Sequence, residues 1–281
     1  MTQEFDQLDI FIETLDGAKY ALSDFRITVK DFVIDSPEPI HTQVTRDGYN
    51  GFIDAGTTFA GRTMRADLYY SAYDEYDFLL RRNMVFRVFD SQEPFYLYES
   101  RLPDRRWLVK LASKYSVERQ RIYGFFQVEF VSPSPYAESI GLPSDDITFD
   151  GTWEFGMGIP LGDFSYDHSH GAFSIWNLGD VTIDSRNYTE NLTPLTIQCI
   201  GSSNNLTITN RTTGDLWRYN GTTTESDVIT IEGDRSRKNG VSIYGKTNRA
   251  RLRLAPGENL INVSGTLGRF RTIWDFRFLY I

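Results

Sequence analysis

The run GDFSYDHSHG places Gly162, His168 and His170 at the spacing with which a β-sandwich can open a divalent-metal site, two imidazoles on one strand face. Such a site needs a third ligand and usually a fourth. Ser174 and Ile175 stand where a carboxylate would follow, and His41, the remaining histidine, lies far upstream, so the sequence predicts a solvated turn and no metal. Nucleophilic hydrolysis is no better supplied, because no G-x-S-x-G elbow accompanies these histidines. Glu154, Asp163, Asp167, Asp215 and Glu225 could meet across a sandwich as glycoside hydrolysis requires, but solvated turn acids are the default reading. The expectation is a protein without catalytic residues and without a cofactor.

Two further groups of residues could bind. Arg249, Arg251 and Arg253 alternate with Ala250, Leu252 and Leu254, which would set the guanidinium groups on one strand face. That stripe could grip an acidic partner or phosphate, or simply meet carboxylates on the neighbouring strand. Trp153, Trp176, Trp217 and Trp274 are the residues a sandwich would use to stack on sugar rings, and Trp217, in GDLWRYNG close to turns, is the first choice. Trp176 in FSIWN and Trp274 in TIWDF sit in patterned strands and read as core. Sequons at Asn187, Asn191, Asn205, Asn210, Asn220 and Asn262 read as turn asparagines and exposed-face threonines. Cys199, the one cysteine, alternates with Leu195 and Ile197 and reads as a buried thiol.

The elements that must position these residues are β-strands. Aromatic residues make up 15% of the 281, mostly Phe and Tyr, which favours pleated, half-buried surfaces. The net charge of −9 is spread over both halves and opposes attraction to nucleic acid or anionic lipid. The start, MTQEFDQLDIFIETLDG, alternates and carries acids where a signal peptide would need a basic end and a continuous apolar run, and no stretch is apolar enough to span a bilayer.

Leu8, Ile10 and Ile12 open the chain as a strand, Asp16-Gly17 turns it, and Ile27 and Val29 resume the alternation. Ser36 to Gly61 is poor in periodicity and rich in Gly, Asp and Asn, and reads as an arm leaving the body, with a hairpin around Arg46 to Asn50. SAYDEYDFLLRRNM is the helix candidate, with Ser71 as N-cap and Ala72, Tyr76, Leu79 and Leu80 as its buried face. Strands VFRVFD, PFYLYE, RWLVKLAS and RIYGFFQVEFV follow. Past SPSPYAES no helical period returns and Asn, Thr and Gly rise, so the expected division is 1–135, an α+β domain, and 136–281, a β-sandwich of regular short strands. In RLRLAPGENLINVSG, Pro256-Gly257 fits a type II turn joining two strands, with Leu252 and Leu254 on one side and Leu260 or Ile261 with Val263 on the other pointing into the core.

The ordered set of segments resembles the distal tail protein (Dit) family of non-contractile phages of Gram-positive bacteria. It rests on ADLYYSAYDEYDFLLRRN, RRWLVKLASKYSVERQRIYGFFQVEFVSPSPYAES, FSIWNLGDVTIDSRNYTENLTPLTIQCIGSSNNLTITNRTTGD, DVITIEGDRSRKNG and RLRLAPGENLINVSG, and covers nearly the whole chain. The resemblance implies a mainly β protein: a ring-forming first domain with one helix and an extended arm, then a galectin-like or carbohydrate-module-like sandwich. It implies a hexameric ring at the virion tail tip, with the tail tube protein, the tail-tip protein and receptor-binding proteins as partners. It also implies that DNA passes through without being held and that nothing is catalysed. The arm then becomes the subunit contact, with Tyr49, Phe52 and Phe59 as its apolar residues. The sugar-binding clusters of galectins are not found in order in the second half. A carbohydrate-binding protein attached to bacterial cell walls is the alternative expectation.

Overall fold

The computed structural model describes residues 8–48, 50–142, 164–184 and 195–281. The chain divides into two compact units, Met1–Ala137 and Glu138–Ile281.

In the first unit the strands are β1 (Ile10–Glu13), β2 (Lys19–Ala21), β3 (Ile27–Ile34), β4 (Pro39–Val44), β5 (Ile53–Phe59), β6 (Arg62–Ser71), β7 (Phe95–Glu99), β8 (Arg105–Leu111), β9 (Glu118–Gln120) and β10 (Tyr123–Ser132), and the helix is α1 (Glu75–Val88). The main sheet runs β2-β1-β7-β8-β10-β6-β3, while β4 and β5 pair only with each other. β6 and β10 form its spine in one unbroken antiparallel ladder from Arg62–Ser132 to Ser71–Tyr123. Strict alternation sends Met64, Ala66, Leu68 and Tyr70 from one strand, and Phe126, Val128 and Phe130 from the other, into a shared core. Gly124 is required there: a Cβ on it would lie 2.5 Å from the Tyr70 ring.

The helix covers this core, in a phase the sequence did not predict. Ser71 ends β6, and the cap is Asp74, whose carboxylate accepts from the Asp77 amide at 2.8 Å. The helix also takes in Val85–Val88 of VFRVFD, expected as a strand, because Val85 and Val88 lie about one turn apart on the face that meets the sheet. Phe78, Val85 and Val88 are its buried residues, and Phe78 tilts against Tyr70 with ring centroids 5.4 Å apart. Tyr76, Leu79 and Leu80, expected in the core, face outward. Both stripes are apolar, so periodicity alone had no basis for choosing between them.

The second unit begins within the short strand β11 (Ala137–Ser139). It contains β12 (Asp167–His168), β13 (Ala172–Asn177), β14 (Ile183–Asp184), β15 (Thr196–Asn210), β16 (Asp215–Arg218), β17 (Thr222–Thr223), β18 (Val228–Glu232), β19 (Arg235–Lys238), β20 (Val241–Ser242), β21 (Arg253–Leu254), β22 (Gly257–Asp275) and β23 (Leu279–Tyr280). Four of the short strands expected from the sequence are two long ones. β15 and β22 pair along most of their length, with register shifts after Gly201 and between Ser203 and Thr207. Gly201, Asn205 and Gly265 take positive φ there, so these residues bend a continuing strand instead of ending it. The resulting nine-stranded sheet runs β12-β22-β15-β18-β19-β20, with β13 on β22 and β16 and β17 on β15. Ile197, Cys199, Ile208, Trp217, Ile229, Ile231, Ile261, Val263 and Trp274 are buried in this unit.

The Pro256-Gly257 turn is not a hairpin hinge. Gly257 has the positive φ expected, but β21 before the turn pairs with β14, whereas β22 after it pairs with β13 and β15. The turn passes the chain from one sheet to another. Leu252, Leu254, Ile261 and Val263 are buried as expected, and Leu260 is exposed.

Candidate functional site

The arm starts where β3 ends. The Asp35 amide donates to the Thr63 carbonyl at 3.1 Å and the Thr63 hydroxyl donates to the Asp35 carboxylate at 2.6 Å, which clamps the root. Farther out, the Ala60 amide donates to the Glu38 carbonyl at 3.0 Å, and Gly61 slips past the end of β10 where a Cβ would lie 2.4 Å from the Ser132 carbonyl oxygen. β4 and β5 then form a hairpin from Pro39–Phe59 to Val44–Ile53, irregular between His41 and Gln43, with the His41 ring hydrogen-bonded to Thr57 at 2.9 Å. Every described residue from Glu38 to Phe59 is exposed. Ile40, Val44, Phe52, Ile53 and Phe59 are among them, Phe52 and Ile53 at 57% and 60%. Tyr49 lies outside the described residues.

A second exposed apolar surface includes Tyr76, Leu79 and Leu80, which the sequence places in the core. Tyr76, Leu79, Leu80 and Phe86 run along the outward face of α1, and Tyr73 stands just before it; Tyr76 and Leu80 are 80% and 69% exposed. The sequence carries this surface as an apolar stripe at helical spacing, but the stripe faces outward.

The arginine stripe does not form. Arg249 adopts a left-handed φ of 55°, only Arg253 belongs to a strand, and the groups have separate surroundings. The Arg249 guanidinium lies 5.3 Å from the centre of the Tyr244 ring, and Arg251 pairs with Asp184 at 3.1 Å. Arg253 meets the Asp215 carboxylate through Nε at 2.9 Å and Nη2 at 2.8 Å. Burial pushes the Asp215 carboxyl up, but the hydrogen bonds from Arg253 and Thr213 outweigh it and hold the pKa below the usual value. Arg251 and Arg253 are therefore engaged with carboxylates of their own unit.

Trp217 is 2% exposed and Trp274 fully buried, so neither presents a ring face to a sugar. Trp217 is core because β16 pairs with β15 and sets it opposite Ile208. Trp176 is half-buried beside Phe164, and Trp153 lies outside the described residues.

His168 stacks on Phe173 with centroids 4.0 Å apart, and its Nε2 lies 2.7 Å from the Ser165 carbonyl oxygen. Burial pushes its pKa down. Asp167 pairs with Arg271, and Glu225 is exposed; Glu154, Asp163, Asn187 and Asn191 fall outside the described residues. Among the described residues no group of three or more His, Cys, Asp or Glu could hold a metal ion. The Cys199 thiol is buried, which pushes its pKa up to about 12.

Asn177, Asn210 and Asn259 are buried side chains that hydrogen-bond the backbone around β21 and the turn after it, and Asn210 also bonds Asn259, an arrangement not anticipated from the sequence. The Asn259 side chain accepts from the Ala255 amide at 2.9 Å and donates to the Ala255 carbonyl at 2.8 Å, holding the Pro-Gly turn. Asn210 donates to Asn259 Oδ1 at 3.0 Å and to the Arg253 carbonyl at 2.7 Å, and Asn177 reaches the Leu254 carbonyl at 3.1 Å. Asn210, which stands in a sequon and reads as a turn asparagine, is 1% exposed and serves the turn.

Residues 15–132 match the family described as phage tail protein RIFT-related domain. The fold of the chain is that of the Dit protein of phage SPP1, described as a paradigm of the hub adsorption apparatus in Gram-positive infecting phages. The two share 13% identity over 96% of this chain and 99% of the other, with a TM-score of 0.66. A structure of the phage P2 baseplate in its activated conformation with Ca aligns over 95% of this chain and 97% of its own, at 8% identity and a TM-score of 0.39. No curated protein sequence matches the chain. The mainly β fold with one helix and the distal-tail resemblance drawn from the sequence thus hold at the level of fold.

Proposed function

From a first unit matching the phage tail RIFT-related domain, within a chain that folds like SPP1 Dit, we propose that this protein is a structural hub of a phage tail. Copies of it close into a hexameric ring at the distal end of the tail tube, where the ring joins the tube to the tail-tip and host-attachment proteins. The single observation that carries this reading is the hairpin arm. A lone two-stranded hairpin in water is at best marginally stable, and this one is exposed throughout its described length while carrying five large apolar residues. A surface of that kind is built to be covered by another chain. The net charge of −9 suits a conduit that DNA must leave without binding. The reading assigns no reaction to the chain, and the ion-paired Asp167 and Asp215 serve the fold.

Light scattering on the purified chain tests the reading. The expected mass is six times the 32.4 kDa of one chain, with no heat released on titration with cell-wall saccharides. A monomer at every concentration that releases heat with saccharide would instead support a carbohydrate-binding protein.

A further inference from the structure

We propose that the outward face of α1 is the seat for the hairpin arm of a second copy of this chain. The inference rests on the ring reading above and names the surface that receives the arm.

Helices on a water-facing sheet present one apolar stripe to the core and a polar face to solvent. α1 has the core stripe, Phe78, Val85 and Val88, and on its other side Tyr76, Leu79, Leu80 and Phe86, continued by Tyr73. Spacings of three and four residues, then a further two turns, line these side chains along one ridge. Tyr73, Tyr76, Leu79 and Leu80 lie at the start of this face and Phe86 beyond the exposed Asn83, with the aromatic content typical of contact centres.

The occupant follows from what else the chain leaves uncovered. The arm offers Ile40, Val44, Phe52, Ile53 and Phe59, and neither surface covers the other within one chain, since both remain exposed. Two different apolar surfaces on one molecule, each needing a cover, make a head-to-tail contact, and a head-to-tail contact that closes makes a ring.

The chain's single cysteine, Cys199, is buried, so introduced cysteines can be cross-linked without a native thiol at the surface. Double variants Phe52→Cys with Leu80→Cys, and Ile53→Cys with Leu80→Cys, are oxidised and run without reductant. The expected result is a ladder of linked chains extending beyond the dimer, because each copy donates one cysteine and receives the other. Each single variant gives nothing beyond a dimer. Leu80→Glu, at an exposed position, is expected to melt like the parent chain yet fail to form the ring. Rings of parental size in Leu80→Glu, together with double variants that give no ladder, would overturn the seat and leave the ring reading standing. A parent chain that stays monomeric at all concentrations removes the ring reading, and the seat with it.

Discussion

Asn210 and Asn259 look in the sequence like two of many turn asparagines, one of them inside a sequon. In the fold they are almost wholly buried and satisfy the backbone at a place where the chain leaves one sheet for another. Their burial is tolerable only because each polar atom finds a partner, and removing one leaves the others unsatisfied. Asn259→Ala deletes bonds to Ala255 and Gly257 and strips Asn210 of an acceptor, so it is expected to cost about 3 kcal/mol in a urea unfolding measurement. The arginines beside this turn illustrate the same limit on sequence reading. Alternation requires an extended backbone, and the left-handed Arg249 interrupts it before the stripe can form. What Arg251 and Arg253 do was decided by Asp184 and Asp215, far away in sequence.

At the scale of elements, the arm and the helix differ in how they were read. The arm was found from its lack of periodicity and its polar turn residues, features that survive without knowledge of partners. The helix was found too, but not its orientation, because Phe78 and Tyr76 are equally good core residues until Tyr70 is placed beneath one of them. The root of the arm gives a direct test of how tightly it is fixed. Gly61→Ala would drive a Cβ against the Ser132 carbonyl, a backbone atom held by the β6–β10 ladder. The expected penalty is about 2 kcal/mol, visible as a lower melting temperature by circular dichroism. An unchanged melting temperature would mean that the arm root is free to shift.

For the whole molecule, the question is what covers the surfaces that one chain leaves exposed. Replacing Tyr49, Phe52 and Phe59 together by alanine tests the contact residues expected from the sequence, and Phe52 and Phe59, being exposed, can be changed without touching the core. The expected outcome is a chain that melts as before but elutes as a monomer in size-exclusion chromatography with light scattering, and an intact ring would show that these residues are not the contact. The sequence by itself determined what depends on local periodicity and composition: a mainly β protein, one helix, an arm, an acidic surface and a buried Cys199. Tertiary structure alone decided which face of α1 points inward, that Trp217 is core, and that β15 and β22 bend through glycines that looked like turns. The reason is physical. A strand or helix announces its period along the chain, whereas the direction each face takes is fixed by packing partners that come from distant parts of the sequence.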